Sequence, residues 1–310
     1  MNDSERGIRL TWHFVTLAII GGLLVIPLPS HGREIKCLLD LAHAPVFGFL
    51  AIMVLSAFRG RLGRVTALGI LGIWLLIVLF GAAIELIQGQ TGRQPSWADI
   101  RANALGSAAM LIGYTTAQAA SRWVRLARWT IAAAVFAIPS IPPLIILVDS
   151  AIQHAQMPQL ASFEQPLELS RWEFQECKTT RSREHATDGV WSLRLALGDG
   201  LYPGATLVDP VRDWSGYRSL ELDIFLEASR PLDLVVKVED KQHRGNQQGR
   251  FQCGLSLSPG PNHAKLLLSE VEHGPNGRII DLRQIKKLQL FTVDDPSRAV
   301  LYLDLMELKP

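Results

Sequence analysis

The sequence lacks the short motifs that mark several large enzyme classes. It contains no nucleophile elbow, no phosphate-binding loop and no cluster of ligands with metal-site spacing. The three cysteines, Cys37, Cys177 and Cys253, form no CxxC pair. Two states of these cysteines are open: a disulfide between Cys177 and Cys253, or unpaired cysteines that pack in the interior. The formal net charge is only +2, so nothing in the charge indicates nucleic acid as a partner.

Acidic residues are also scarce, but only in the first half of the chain. Before Asp149 the sequence is a series of apolar blocks separated by short arginine clusters, a pattern typical of membrane spans and their loops. After Asp149 charged and polar residues alternate with single aliphatic residues. The 310 residues suffice for two domains. We therefore expect a transmembrane domain at 1–150, a linker at 151–162 and an extracytoplasmic domain at 163–310.

Five apolar blocks are long enough to cross a bilayer, whose core of about 30 Å requires about 20 residues per helix. They are Leu10–Pro27, Cys37–Phe58, Val65–Ile87, Trp97–Tyr114 and Trp129–Val148.

The arginine clusters fall in alternate loops between these blocks: Arg6 and Arg9, then Arg59, Arg61 and Arg64, then Arg122, Arg125 and Arg128. The positive-inside rule makes these loops cytoplasmic. The sequence thus predicts an integral plasma (inner) membrane protein with a cytoplasmic N-terminus and an extracytoplasmic C-terminal domain.

In this topology the polar residues of three helices meet at the outer end of the membrane domain. Within each helix, spacings of three, four or seven residues place them on one face. The set is Lys36, Asp40 and His43, then Glu85 and Gln88, then Arg93 in a short loop, then Asp99 and Asn103. A structural polar cap is one interpretation. The other is a functional site, because ionisable groups inside a membrane are costly unless they serve a purpose.

This pattern resembles the VanZ-like membrane family. The resemblance is carried by Lys36-x3-Asp40-x2-His43, Glu85-x2-Gln88, Arg93 and Asp99-x3-Asn103-x2-Gly106, and it covers roughly residues 10 to 120. It implies a small polytopic membrane protein, and some members of the family are associated with resistance to glycopeptide antibiotics such as teicoplanin. The fifth span and the long polar C-terminal region extend beyond the minimal family pattern.

The polar half shows mostly period-two alternation, which predicts β-strands. The segments are 192–197, 219–226, 232–240, 265–269, 287–293 and 300–308, with turn signals such as Asp188-Gly189 and Ser258-Pro259-Gly260 between them. Many short strands at this spacing indicate an antiparallel β-sandwich.

The same half resembles the jelly-roll sandwiches of carbohydrate-binding modules and galactose-binding-like domains. The phrases TDGVWSLRLAL, VRDWSGYRSLELDIFL and VLYLDLMEL carry this resemblance. It implies glycan binding by exposed aromatic rings, for which Trp172, Tyr202 and Trp214 are the candidates, although core packing is the alternative for each. It also implies a structural Ca²⁺, with Glu164 and Asp304 as candidate ligands.

Two functions follow from these expectations. The first is a non-catalytic envelope protein that contacts membrane lipids, has a polar pocket at the outer membrane face, and binds cell-surface polysaccharide or a protein partner. The second is a membrane enzyme acting on a lipid-linked or cell-wall sugar, with an acid/base pair drawn from His43, Glu85 and Asp99.

Overall fold

The computed structural model describes residues 32–62, 66–90, 95–116, 121–242, 250–274, 278–293 and 299–310. The chain divides into two compact units, Met1–Leu147 and Val148–Pro310. The predicted span Leu10–Pro27 and the predicted site residue Arg93 lie outside the described residues.

The described part of the first unit contains four long helices: α1 Arg33–Leu62, α2 Ala67–Gln90, α3 Trp97–Thr116 and α4 Arg122–Gln156. Of these, only α4 continues past Leu147 into the second unit. Aliphatic and aromatic side chains of α1, α2 and α3 form a common core that includes Phe47, Leu50, Leu55, Ile77 and Leu111. The hydroxyl of Ser96 caps α3 by accepting the Asp99 backbone N–H at 3.3 Å.

Glycines allow α1, α2 and α3 to pack closely. A Cβ on Gly106 of α3 would overlap the backbone of Ala44 in α1, and a Cβ on Gly81 of α2 would lie 2.9 Å from Asn103 Nδ2. Gly48 of α1 is also confined, because its Cβ would lie 2.6 Å from Met110 Cγ and 2.9 Å from the carbonyl oxygen of Gly106. Small residues at such crossings are typical of helix contacts in membranes.

Within the described residues, three helical segments are long and apolar enough to cross a membrane: Arg33–Phe58, Ala67–Gln90 and Arg122–Gln156. Large aliphatic side chains on α2, such as Leu68 and Leu79, are mostly exposed, as expected of a surface that lipid would cover. The predicted fourth span, Trp97–Tyr114, is helical but is not among the three. Its sequence mixes Asp99, Arg101 and Asn103 with apolar residues, which lowers its overall apolarity.

The second unit is built from short strands: β1 Gln159–Ala161, β2 Trp172–Gln175, β3 Cys177–Ser182, β4 Ser192–Leu197, β5 Gly204–Val208, β6 Ser219–Glu227, β7 Leu232–Asp240, β8 Phe251–Leu257, β9 Gly260–Leu267, β10 Ile285–Phe291 and β11 Val300–Lys309. A short helix, α5, spans Leu268–Glu272, and two 3₁₀ helices span Pro166–Arg171 and Leu282–Gln284.

These strands form two antiparallel sheets. The six-stranded sheet has the order β3-β4-β11-β6-β9, and β1 also pairs with β11. The five-stranded sheet has the order β2-β5-β10-β7-β8. Side chains from both sheets form one core, with fully buried residues such as Leu193, Leu207, Leu220 and Trp214. The predicted antiparallel β-sheet architecture is confirmed, and its jelly-roll order stays a prediction.

Two details differ from the sequence-based expectation. The segment predicted as a linker, 151–162, instead forms the end of α4 and strand β1. The predicted strand at 265–269 crosses the end of β9 and the start of α5. Cys37, Cys177 and Cys253 are all unpaired, so the packing alternative holds and the disulfide does not.

Candidate binding sites

The structure brings four of the predicted polar residues of the helical unit together. His43 Nδ1 lies 3.0 Å from Asn103 Oδ1, and His43 Nε2 lies 4.0 Å from Asp99 Oδ2. Glu85 joins them, because one ligand atom each from His43, Glu85 and Asp99 lies within 4.8 Å of the other two. All four side chains are buried. We call this group the polar cluster.

The two oxygens of Glu85 have different surroundings. Oε2 accepts the Ser96 backbone N–H at 3.0 Å. Oε1 is buried and has no hydrogen-bond partner among the described residues. A buried oxygen without a partner loses its hydration with no compensating bond, which costs about 1–3 kcal/mol.

The other predicted members of the site do not all join the cluster. Lys36 is exposed and Asp40 is only partly buried. Gln88 is buried on α2.

A second candidate site lies on the outer face of the five-stranded sheet. Thr206 of β5 is directly opposite Gln289 of β10, Gln289 is opposite Lys237 of β7, and Lys237 is opposite Gln252 of β8. These four side chains therefore form one polar row across four neighbouring strands. The residues that alternate with them, such as Leu207 and Val236, are buried in the core.

This row forms the floor of an open groove of about 580 Å³, which also receives Gln175 and Arg250. Tyr202 and Phe291 line it with their rings in edge contact, 5.9 Å apart at 82°. Tyr202 is 49% exposed. Gln289 Nε2 donates to Thr206 Oγ1 at 3.1 Å, and Lys237 Nζ pairs with Glu239. The groove thus offers amide and cationic groups beside an aromatic surface.

The two tryptophans expected to bind sugars have a different location. Trp214 is 0% exposed, with its indole N–H donating to the Val211 carbonyl at 2.8 Å, and Trp172 is 6% exposed. A ring enclosed in the core cannot stack on a sugar, so these two assignments are corrected to core packing. Of the three aromatic candidates, only Tyr202 lies in the groove.

Glu164 and Asp304 both hold the turn at 187–191. Glu164 Oε1 accepts the backbone N–H groups of Val190 and Trp191, each at 2.7 Å. Asp304 Oδ2 accepts those of Thr187 and Asp188.

The other oxygen of Asp304, Oδ1, is buried without a hydrogen-bond partner among the described residues. Burial raises the pKa of the Asp304 carboxyl above its ordinary value, against the N–H groups that lower it.

This arrangement meets calcium's needs only in part. Asp304 Oδ1 has a lone pair that no described donor uses, but the atom is buried and Ca²⁺ takes six to eight oxygens. The nearby carbonyls of Phe163 and Glu164 already accept hydrogen bonds from Arg181. Among the described residues no group of three His, Cys, Asp or Glu ligands forms around this pair. Calcium here stays a prediction.

Solved structures similar to this chain include carbohydrate-binding modules. A family 11 module from Clostridium thermocellum, in complex with a β-1,3-1,4-mixed-linked tetrasaccharide, is 16% identical; the match covers 49% of this chain and 94% of the module, with a TM-score of 0.38. The family 30 module of a cellulosomal cellulase of Clostridium thermocellum is 13% identical; that match covers 44% of this chain and 89% of the module, with a TM-score of 0.35.

An exo-β-agarase is 17% identical with a TM-score of 0.41, over 49% of this chain and only 24% of the agarase. No protein-family model matches the chain, and no curated protein matches it.

Proposed function

We propose that this protein is a membrane-anchored cell-envelope protein whose β-sandwich binds a polysaccharide in the groove of the five-stranded sheet. The observation that carries the proposal is the polar row formed by Thr206, Gln289, Lys237 and Gln252 beside the rings of Tyr202 and Phe291. The proposal includes the orientation expected from the arginine clusters, with the N-terminus cytoplasmic and the sandwich outside. It also includes the VanZ-like character of the helices, which rests on their motif.

The chemistry of the groove suits a sugar chain. Sugars present hydroxyl groups, which need both donors and acceptors, and a glutamine amide supplies both. They also present apolar C–H faces, which pack against aromatic rings such as that of Tyr202. Glu173 of β2 lies opposite Thr206, so five strands contribute to the row. Four inter-strand spacings of about 4.8 Å make the row about 19 Å long, which suits an oligosaccharide better than a single sugar.

The charge of the groove does not select between neutral and acidic polysaccharides. Lys237 is already paired with Glu239, so its net contribution is small, whereas Arg250 adds positive charge at the groove and Glu173 adds negative charge at one end of the row. A neutral glucan and a uronic-acid polymer are both compatible with such a lining. They differ in salt dependence, because binding of the charged polymer weakens as ions screen Arg250.

The test is binding of the full chain, in detergent or nanodiscs, to an array that contains neutral β-glucans, galactans and uronic-acid polymers. We expect binding to one polysaccharide class, reduced at least about tenfold by Gln289→Ala or Tyr202→Ala, since each removes a contact of about 1.4 kcal/mol or more. The matched control is Lys265→Ala, which removes an exposed, ion-paired lysine from the other sheet. An array with no signal, or groove variants that bind as well as the wild type, would refute the proposal.

A further inference from the structure

The polar cluster contains three side chains of types that bind metal ions. One atom from each of His43, Glu85 and Asp99 lies within 4.8 Å of the others, and each residue is at most 8% exposed. Around a tetrahedral ion with bonds of about 2.1 Å, neighbouring ligand atoms lie about 3.4 Å apart. Each ligand atom therefore needs to move by only about 1 Å or less to come within bonding distance of one central ion. We infer that these residues bind one divalent transition-metal ion.

Asn103 prepares His43 for this role. Because an amide oxygen only accepts hydrogen bonds, the 3.0 Å contact between Asn103 Oδ1 and His43 Nδ1 places the proton on Nδ1. In the neutral ring, which is the form that binds metal, the lone pair is then on Nε2, the nitrogen that faces Asp99 Oδ2 at 4.0 Å. Metal-binding histidines almost always donate their second N–H to an oxygen in this way. Asn103 is thus a positioning residue and does not itself bind the ion.

The unpartnered oxygen of Glu85 independently indicates a ligand. Ser96 holds Oε2 through its backbone N–H and so fixes the carboxylate. Oε1 remains, buried in a residue that is 2% exposed and without a hydrogen-bond partner among the described residues. A metal ion at the cluster would supply the bond that this oxygen lacks.

Charge favours a divalent cation over a neutral ligand. Two carboxylates placed this close in a buried site repel each other and have lost most of their hydration. A divalent cation between the two groups would offset this repulsion.

The donor set also narrows the identity of the ion. One imidazole nitrogen with two carboxylate oxygens suits Zn²⁺, Mn²⁺ or Fe²⁺, whereas Mg²⁺ and Ca²⁺ prefer oxygen alone and Cu⁺ prefers sulfur.

The test is metal binding by the full chain, purified in detergent without a polyhistidine tag and stripped with EDTA. Co²⁺ is titrated as a visible-absorption probe, Zn²⁺ is used as a competitor, and the bound metal is counted by mass spectrometry. We expect one ion per chain. His43→Gln, Glu85→Gln and Asp99→Asn should each weaken the affinity at least about tenfold, and Asn103→Ala should weaken it about 10–100-fold while keeping one site.

The matched control is His263→Gln in the sandwich. His263 also lies beside two carboxylates, but its Nδ1 faces Asp223 and its Nε2 faces Glu221, so its ligands do not converge, and the ring is 59% exposed. This variant should bind metal like the wild type.

A wild-type chain that produces no Co²⁺ spectrum and retains no Zn²⁺ overturns the inference. The inference is also overturned if His263→Gln loses metal binding while the His43, Glu85 and Asp99 variants keep it. The wild-type titration decides even if a cluster variant fails to fold. Glycan binding is measured separately, so its failure leaves this test intact.

Discussion

Asp149 and Arg171 form an ion pair in which neither side chain has any exposed surface. Arg171 Nε lies 3.0 Å from Asp149 Oδ1 and 3.1 Å from Oδ2, while Nη2 also donates to Gln156 Oε1 at 3.0 Å. Ser170 donates its hydroxyl to the same carboxylate. The pair ties the last turns of α4 to the 3₁₀ helix that precedes β2, and both charges have hydrogen-bond partners.

Breaking this pair from one side should destabilise the second unit strongly. Arg171→Met or Asp149→Leu leaves a buried charge without its partner, and we expect a loss of about 3–5 kcal/mol in each case. The double variant should lose less than the sum of the two, because it buries no unpaired charge. Chemical denaturation, monitored by tryptophan fluorescence, measures the free energy of unfolding of the two single variants and of the double variant. Strict additivity would contradict the proposed coupling.

Gly106→Ala should disrupt the contact between α1 and α3. The new methyl group overlaps the backbone of Ala44, which cannot move aside as a flexible side chain could. Gly72→Ala is the matched control, because a Cβ there meets nothing within 4 Å, and alanine favours a helix over glycine by about 1 kcal/mol. The measurement is the rate at which buried Cys37 reacts with a maleimide. It should rise for Gly106→Ala and stay the same or fall for Gly72→Ala.

Substituting Trp214 and Tyr202 should separate stability from binding. Trp214→Ala removes a fully buried ring and should cost about 3–5 kcal/mol of unfolding free energy. Tyr202→Ala removes a half-exposed ring and should change stability much less while it weakens glycan binding. Melting temperature and glycan affinity are measured on both variants. The reverse pattern would place the sugar-binding surface elsewhere.

Asp304 should give the second unit a defined pH dependence. Its pKa in the folded chain is raised by burial, so its contribution to stability is fully present below the unfolded pKa and is lost as pH rises through the folded pKa. In EDTA, the melting temperature of the wild type relative to Asp304→Asn should therefore fall as pH rises from about 4, and then level off. A difference that increases over this range would mean that the pKa is lowered instead.

Calcium binding at Glu164 and Asp304 is checked by the change in melting temperature between EDTA and Ca²⁺. If calcium binds, the wild type should gain stability by mass action, and Glu164→Gln should gain less. Mg²⁺ serves as the control ion. Equal melting temperatures in EDTA and Ca²⁺ would leave both carboxylates with the single role of holding the turn at 187–191.

The alternating strands were predictable because one face of each is buried. The segments 192–197, 219–226, 232–240, 287–293 and 300–308 match β4, β6, β7, β10 and β11 to within two residues. The strands β1, β2, β3, β5 and β8 were not predicted. β1, β2 and β5 are short, and β3, with its sequence CKTTRS, buries little of either face, so their hydrophobic pattern is weak. β8 is different, because its sequence FQCGLSL alternates in period two and the strand could have been predicted.

The two candidate sites differ in how far the sequence reveals them. The spacing of four residues places Asp99 and Asn103 on one face of α3. The short connection between α2 and α3 brings Glu85 near that face, and His43 comes from α1. The groove gives no such signal. Thr206, Lys237, Gln252 and Gln289 are single polar residues far apart in the chain, and only the order and register of the strands align them.

The position of β11 has a consequence for biosynthesis. This strand lies between β4 and β6, and it also pairs with β1. Until the ribosome has added residues 300–309, the strands on either side of that gap expose unpaired backbone edges, which are prone to pair with other chains. We therefore expect the nascent sandwich to be more prone to aggregation before its central strand is inserted than afterwards.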